Sequence, residues 1–423
     1  MKPARAARLH YAWIVAGVTF VTLLAAAGSR AASGVLILPL GNAFQWNRAT
    51  VSSIVSLNIL LYGLAGPFAA ALYQSFGLRR TMLLGMTLIG AGYALSTVAT
   101  HYWQFLLSWG VLVGLGSGMA ATVLGASVAT RWFTARRGLV IGLLTASTAT
   151  GQLVFLPLMA SIATTQGWRG VPLVVTAATC LVLPLIWFFM RDDPADVGLR
   201  PYGETGGAKV AAHRGGNPAA HALRVLGQSI RRRDFWLIAG SFFICGATTN
   251  GLIGTHLMPA AFDCGITEIR SAGLLALMGV FDLVGTTLSG WLSDRHNPRH
   301  LLFTYYGLRG LSLFFLPAAL AGPSFGLLLF AVFYGLDWIA TVPPTVRLTA
   351  DVFGRENAGI VFGWVAATHQ LGAAFATSAA GILRTVSGTY TLAFLGAGAL
   401  CVIAAMGVLP VGKKRTREIL APG

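Results

Sequence analysis

Apolar residues run through this chain in long blocks, not in the alternation of a strand or on one face of an amphipathic helix. A helix needs about 20 apolar residues to cross a bilayer, and twelve stretches reach that order of length. They fall at 12–40, 50–75, 80–99, 102–130, 138–163, 169–190, 235–262, 272–294, 300–320, 324–350, 357–383 and 389–411. The pattern predicts an all-α polytopic membrane protein with twelve transmembrane helices. A membrane β-barrel would show short alternating segments instead. One polar interval is much longer than the others. Residues 191–234 open on RDDPADVGLR and close on RRRD. They read as a cytoplasmic central linker between a six-helix half at 1–190 and a second at 235–411, with a tail at 412–423.

Composition narrows the class. Of the 423 residues, 55% are hydrophobic and 10% charged, against roughly a quarter charged in soluble domains, which excludes an ordinary soluble enzyme. The charges are lopsided: 30 Lys and Arg against 13 Asp and Glu give a net charge of +17. Such a balance raises nucleic acid as a partner, but the placement of the charges removes it. With the N-terminus inside, 24 of the 30 basic residues fall on the cytoplasmic side. Four (Arg48, Arg169, Arg270, Arg384) fall outside, and Arg30 and Arg309 lie within spans. This is the positive-inside bias. It predicts both termini in the cytoplasm and the lipid bilayer, not nucleic acid, as the partner. The short basic leader lacks a small-residue cleavage site, so the first span reads as a retained helix. Cys180, Cys245, Cys264 and Cys401 are scattered and form no metal spacing or disulfide framework. No cofactor is implied.

The halves repeat one another. GLVIGLLTASTATG (138–151) aligns without a gap on GIVFGWVAATHQLG (359–372), matching Gly138, Val140, Gly142, Ala146 and Gly151 to Gly359, Val361, Gly363, Ala367 and Gly372. Internal repeats around a midplane site are a habit of transporters. Twelve spans, a 6+6 division and a basic central loop resemble the major facilitator superfamily. Its loop between the second and third helices of each half reads G-x-L-x-D-R-x-x-x-R. Gly290, Leu292, Asp294, Arg295 and Arg299 match it in the second half. The first half keeps only Gly77, Arg79 and Arg80, with Gln74 where the acid belongs. The resemblance makes Asp294, Arg295 and Arg299 a gating latch of charge-assisted bonds. Trp132-Phe133, Arg136-Arg137-Gly138-Leu139, the RDDPADVGLRPYG run and Phe281-Asp282 are similar to the bacterial monocarboxylate and oxalate–formate porter branch. That branch holds its substrate carboxylate with an Arg four residues after the eighth-helix Asp. Thr286 stands there in this chain.

Ionisable groups deep in a bilayer cost about 2.5–3.5 kcal/mol or more, so each needs a partner, water or a function. Arg30 lies about eighteen residues into the first span, roughly 27 Å along the helix axis. No acid occurs in a first-half span to pair with it, which leaves a partner from the second half, water or a bound anion, or else snorkelling to the outer headgroups. Asp282, Arg309 and Asp337 fall near mid-depth of the eighth, ninth and tenth spans. One Arg cannot neutralise two carboxylates, so one acid is free to carry a proton; the other reading is a static buried network. His256 and His369 can carry protons or bind substrate, or serve as satisfied core residues. Asn250, in a helix that the family uses to line its cavity, Thr286, Tyr62 and Trp338 complete the candidate substrate site. Pro343-Pro344 breaks the tenth span, because Pro removes a backbone donor.

The residues point to a secondary transporter of the bacterial inner membrane, monomeric, moving a small organic anion, a carboxylate, in symport with a proton by alternating access. Two alternatives stand beside it. Proton-driven efflux of an amphiphile would need a Gly-Pro pattern that the fifth span lacks. A non-transporting sensor would call for an added signalling domain. An enzyme is not expected, for want of a nucleophile–base pair.

Overall fold

A computed structural model describes residues 10–120, 122–204, 218–354 and 358–412. Among them there is no strand, only an isolated bridge between Phe133 and Tyr202. The described chain forms twelve helical rods: Tyr11–Phe44, Arg48–Ser75, Leu78–Val98, Tyr102–Trp132, Arg137–Thr165, Gly170–Phe189, Arg233–Asp263, Glu268–Arg295, Pro298–Ala321, a tenth in the two pieces Ser324–Asp337 and Val342–Phe353, Ala358–Ser387 and Thr391–Val408. Each coincides with one predicted stretch to within about four residues at its ends. Eleven are long and apolar enough to cross a membrane, and the fifth contributes the shorter apolar run Val154–Thr165. The fold is therefore all-α and polytopic. The tail beyond Gly412 and residues 205–217 of the linker lie outside the described residues.

Polar side chains set the starts of the rods. The Asn47 side chain accepts from the Thr50 N–H at 2.9 Å, and that of Asn297 accepts from the Arg299 N–H at 3.0 Å. Each satisfies a helix-start donor that has no partner within the helix. The turn between the second and third helices needs Gly77, whose φ is +85°. Its acid comes from far along the chain. Asp192, in the run after the sixth helix, accepts the Arg79 N–H at 2.8 Å. A Cβ on Gly77 would collide with that carboxylate. The degenerate first-half loop is thus completed by the RDDPADVGLR segment.

Small residues bring the rods together. A Cβ on Gly114 would lie 2.8 Å from the Asn58 carbonyl, and one on Gly118 2.7 Å from the Tyr62 carbonyl. The fourth helix therefore lies directly on the backbone of the second, as membrane helices do where packing, not hydrophobicity, drives association. Asn58 joins in by donating to the Trp109 carbonyl at 2.7 Å. The second helix also runs along the eleventh. Ala49 N–H donates to Thr385 Oγ1 at 3.2 Å, Ser56 Oγ to the Ala374 carbonyl at 2.6 Å, and Gly63 faces Gln370.

Overpacking such a contact forces backbone movement that costs typically 1–3 kcal/mol. Gly118→Val should lower the melting temperature of the purified protein or abolish its folding. Gly17→Ala, at a position with no atom near the new methyl, should leave melting unchanged. Equal melting of the two variants would contradict backbone-to-backbone packing at Gly118.

Candidate functional site

The predicted charges gather round the break in the tenth helix. Helical geometry stops after Asp337, and residues 338–341 form turns. The chain resumes at Val342 with Pro343 and Pro344 in the first turn. Proline is tolerated there because a first-turn N–H has no helical partner to lose. The interruption strands backbone groups in an apolar setting, where each unpaired group costs several kcal/mol.

Two helices supply the missing backbone partners, and a third touches a side chain of the turn. From the eighth, Asp282 Oδ1 accepts the Ile339 N–H at 2.9 Å, and Ser289 Oγ donates to the Ala340 carbonyl at 2.5 Å. From the ninth, Arg309 Nη2 donates to the carbonyls of Asp337 at 2.5 Å and Trp338 at 3.2 Å. From the seventh, Cys245 Sγ lies 3.2 Å from Thr341 Oγ1. The eighth and tenth helices can approach this closely because Gly285 and Gly335 face one another's helices. A Cβ on Gly285 would strike the Leu336 carbonyl, and one on Gly335 would lie 2.7 Å from that of Met278.

The structure decides which carboxylate the cation takes. Arg309 is fully buried and pairs with Asp337, Nε to Oδ2 at 2.6 Å. Its Nη1 donates to Cys245 Sγ at 3.0 Å, and the rings of Tyr306 and Tyr334 lie 5.7 and 6.0 Å from its guanidinium carbon. Asp282 forms no ion pair among the described residues. Its Oδ1 accepts from the Thr286 hydroxyl at 2.9 Å as well as from Ile339. Thr286 thus occupies the expected arginine position and holds the carboxylate as a neutral donor. Asp337 Oδ1 is buried without a hydrogen-bond partner.

The remaining candidates divide. Arg30 is half-buried, forms no ion pair among the described residues, and lies 5.7 Å from the centre of the Tyr62 ring. Two close approaches flank this pair. Gly34, one turn beyond Arg30, meets the Gly254 carbonyl, 2.9 Å from an added Cβ, and Gly63 beside Tyr62 meets Gln370. The Trp338 ring lies 3.7 Å from an added Cβ on Gly254 and edge-on to Tyr334 at 5.9 Å, which brings it toward the first-helix contact. The His369 ring lies 4.9 Å from that of Phe242, tilted at 49° to it. Asn250 lies in a π-helical stretch, Ala247–Ile253, where its carbonyl accepts from the Thr255 hydroxyl at 2.8 Å.

Two candidates make contacts apart from this centre. His256 takes the core alternative: it is fully buried, with Nε2 2.9 Å from the Thr377 carbonyl and Nδ1 3.2 Å from the Tyr390 hydroxyl. It ties the seventh helix to the eleventh and to the start of the twelfth, and neither ring nitrogen is left for substrate. The latch is not formed either. Asp294 is exposed and makes no ion pair among the described residues. Arg295 lies on its own helix's Trp291, 4.0 Å from the ring centre, and the Arg299 side chain turns toward Gly412.

Other contacts carried no motif. Asp263 joins two of the basic residues assigned outside, accepting from Arg384 Nε at 2.6 Å and lying 3.7 Å from Arg48. It pins the second, seventh and eleventh helices at one end. The signal was available, since Asp263 is an acid in a segment otherwise marked by isolated arginines. Cys245 and Ser289 gave no signal, because small polar residues are common in membrane helices.

The sequence profile of the Major Facilitator Superfamily matches residues 18–336 and 243–421. An uncharacterized MFS-type transporter, YcxA, of Bacillus subtilis is 25% identical over 402 residues, covering 92% of each chain. Monocarboxylate transporter 13 of Rattus norvegicus is 30% identical over 404 residues, 94% of this chain and 88% of that one. The partially occluded inward-open structure of the xylose transporter XylE from E. coli superposes with a TM-score of 0.70 at 16% identity, over 94% of this chain and 96% of that one. That likeness shows the fold.

Breaking a buried ion pair by removing one partner costs about 3–5 kcal/mol. Arg309→Met and Asp337→Leu should each destabilise the purified protein by that order in a thermal melt. The double variant should recover part of the loss. A double variant no better than the sum of the single ones would argue against direct pairing.

Proposed function

The chain belongs to the Major Facilitator Superfamily, and from that premise we propose that it carries a small organic anion, a carboxylate, together with a proton. It is a membrane transporter and not an enzyme. The observation that carries the finer reading is the division of charge round the broken helix. Asp337 takes up Arg309, while Asp282 keeps only a hydroxyl and a backbone amide. The names of the monocarboxylate relatives support a carboxylate as cargo.

Arg30 is the cation left over. A guanidinium presents a planar fork that matches a carboxylate in two parallel hydrogen bonds, and the Tyr62 ring beside it bounds one side of the place where the anion would lie. Trp338, Asn250 and His369 are the candidates that the second half offers to the same anion. The anion neutralises Arg30, and a proton neutralises Asp282. Loaded with both, the centre presents no unpaired charge to the bilayer, which lowers the cost of moving it between the two faces.

Asp282 also connects the proton to shape. As a carboxylate it receives the Ile339 N–H. As a carboxylic acid it has one fewer acceptor site and gains a donor, so its grip on the turn at 338–341 changes. The two pieces of the tenth helix are then free to realign as the halves, residues 1–190 and 235–411, rock about the centre. The linker at 191–234 and both termini face the cytoplasm of a bacterial inner membrane, in line with the basic bias. The protein works as a monomer.

Two measurements in proteoliposomes test this reading. Arg30→Ala should abolish carboxylate uptake while Arg30→Lys keeps a fraction; full activity in the Ala variant would sink the anion role. Asp282→Asn should lose accumulation driven by a pH gradient and keep substrate exchange. Undiminished pH-driven accumulation would refute the proton role.

A further inference from the structure

The turn between the eighth and ninth helices encloses an open-sided cavity of about 350 Å³ that plays no part in the transport reading. Arg295, His296, Asn297 and Arg299 line it from the turn, and Arg347 and Asp351 from the lower piece of the tenth helix. Three arginines and a single carboxylate therefore line it among the described residues. Asp351 reaches only Arg347, at 4.0 Å, with both side chains well exposed. Arg299 forms no ion pair among the described residues, and Arg295 is held against the Trp291 ring. The ninth helix begins here at Pro298, and its N-terminus adds a partial positive charge of about half a unit.

Among the described residues the wall is therefore a preassembled positive surface lined by a single acid. Its level is set by Trp291, one turn before Arg295 and 51% exposed, which continues an outward-facing run with Leu288 and Val284. An exposed indole at the end of an apolar helix face marks the membrane–water interface. The basic wall thus lies at headgroup depth.

We propose that this cavity binds a phosphate-bearing anion, the phosphodiester headgroup of an anionic lipid. Guanidinium forks match phosphate oxygens in pairs, and Arg299 and Arg347 approach from separate helices. A bound phosphate bridges the turn after the eighth helix to the lower tenth helix, at the place where Asp294 makes no ion pair among the described residues. Free phosphate has the same chemistry, and the two sources are separable.

The test reads binding and not transport, so its failure is distinct from failure of the transport reading. Purified protein in phosphatidylcholine nanodiscs, with and without phosphatidylglycerol, is followed by thermal melting and by native mass spectrometry of retained lipid. Phosphatidylglycerol should raise the melting temperature and be retained. Arg299→Ala with Arg347→Ala should weaken its binding roughly thirty-fold. Asp351→Asn, which removes the acid among the described lining residues, should strengthen retention and carries the test if the double variant does not fold. Retention unchanged in Asp351→Asn and in a folded double variant would overturn the site. Stabilisation of lipid-free protein in detergent by inorganic phosphate, with none from phosphatidylglycerol, would overturn the lipid assignment.

Discussion

The centre of this protein depends on the need to satisfy backbone polar groups at a helix break inside a membrane. Water is not at hand there to hydrogen-bond a stranded N–H or C=O. The turns at 338–341 are tolerable only because Asp282, Ser289 and Arg309 reach them from neighbouring helices. The charged residues are therefore structural before they are anything else. Arg309 spends its donors on Asp337, two carbonyls and a thiol. A free cation in that position would be expensive, and a lysine would offer one point charge where the site needs a fork. The same constraint accounts for Gly285 and Gly335, since side-chain bonds to a backbone require the two backbones to lie close.

The electrostatic consequence is an asymmetry between the two ends of the chain. The second half holds two acids and one base at mid-depth, the first half one base and no acid. Once Arg309 and Asp337 neutralise one another, Asp282 and Arg30 are what remains. A separated acid and base in a low-dielectric interior are each costly. In the proposed symport each is relieved by a ligand of opposite sign, a proton for one and an anion for the other. Relief of both together is then an energetic reason for the two ligands to move together, and it requires no contact between their sites.

Much of the fold was legible in the chain because membrane spans are read from length and apolarity alone, and depth along a helix is arithmetic. That arithmetic placed Asp282, Arg309 and Asp337 at one level. It could not say which acid the arginine takes, because that depends on the rotational phase of three helices about their axes. Phase also decided His256. Its depth suited a binding role, but its face turns to Thr377 and Tyr390. Asp192 was illegible for a different reason: it completes the turn at Gly77 from more than a hundred residues away. The latch motif is silent on geometry here, because a residue pattern records which charges are present and not which partners they choose in one conformation.

The ion contacts at the far end of the bundle complete the argument about movement. Asp263 draws Arg48 of the second helix and Arg384 of the eleventh to the end of the seventh. Arg48 is 18% and Arg384 26% exposed, and the Arg384 contact is short. Exposed ion pairs contribute little singly, but a partly screened pair with good geometry contributes more. The end bearing Arg295, Arg299 and Arg347 has the opposite character: three bases, a weakly engaged acid and no closed ion network among the described residues. One end of the bundle is thus tied across three helices by its own charges, and the other has charges in excess of its partners. In the proposed alternating-access cycle the tied end is the natural pivot, and the broken tenth helix lies between the two.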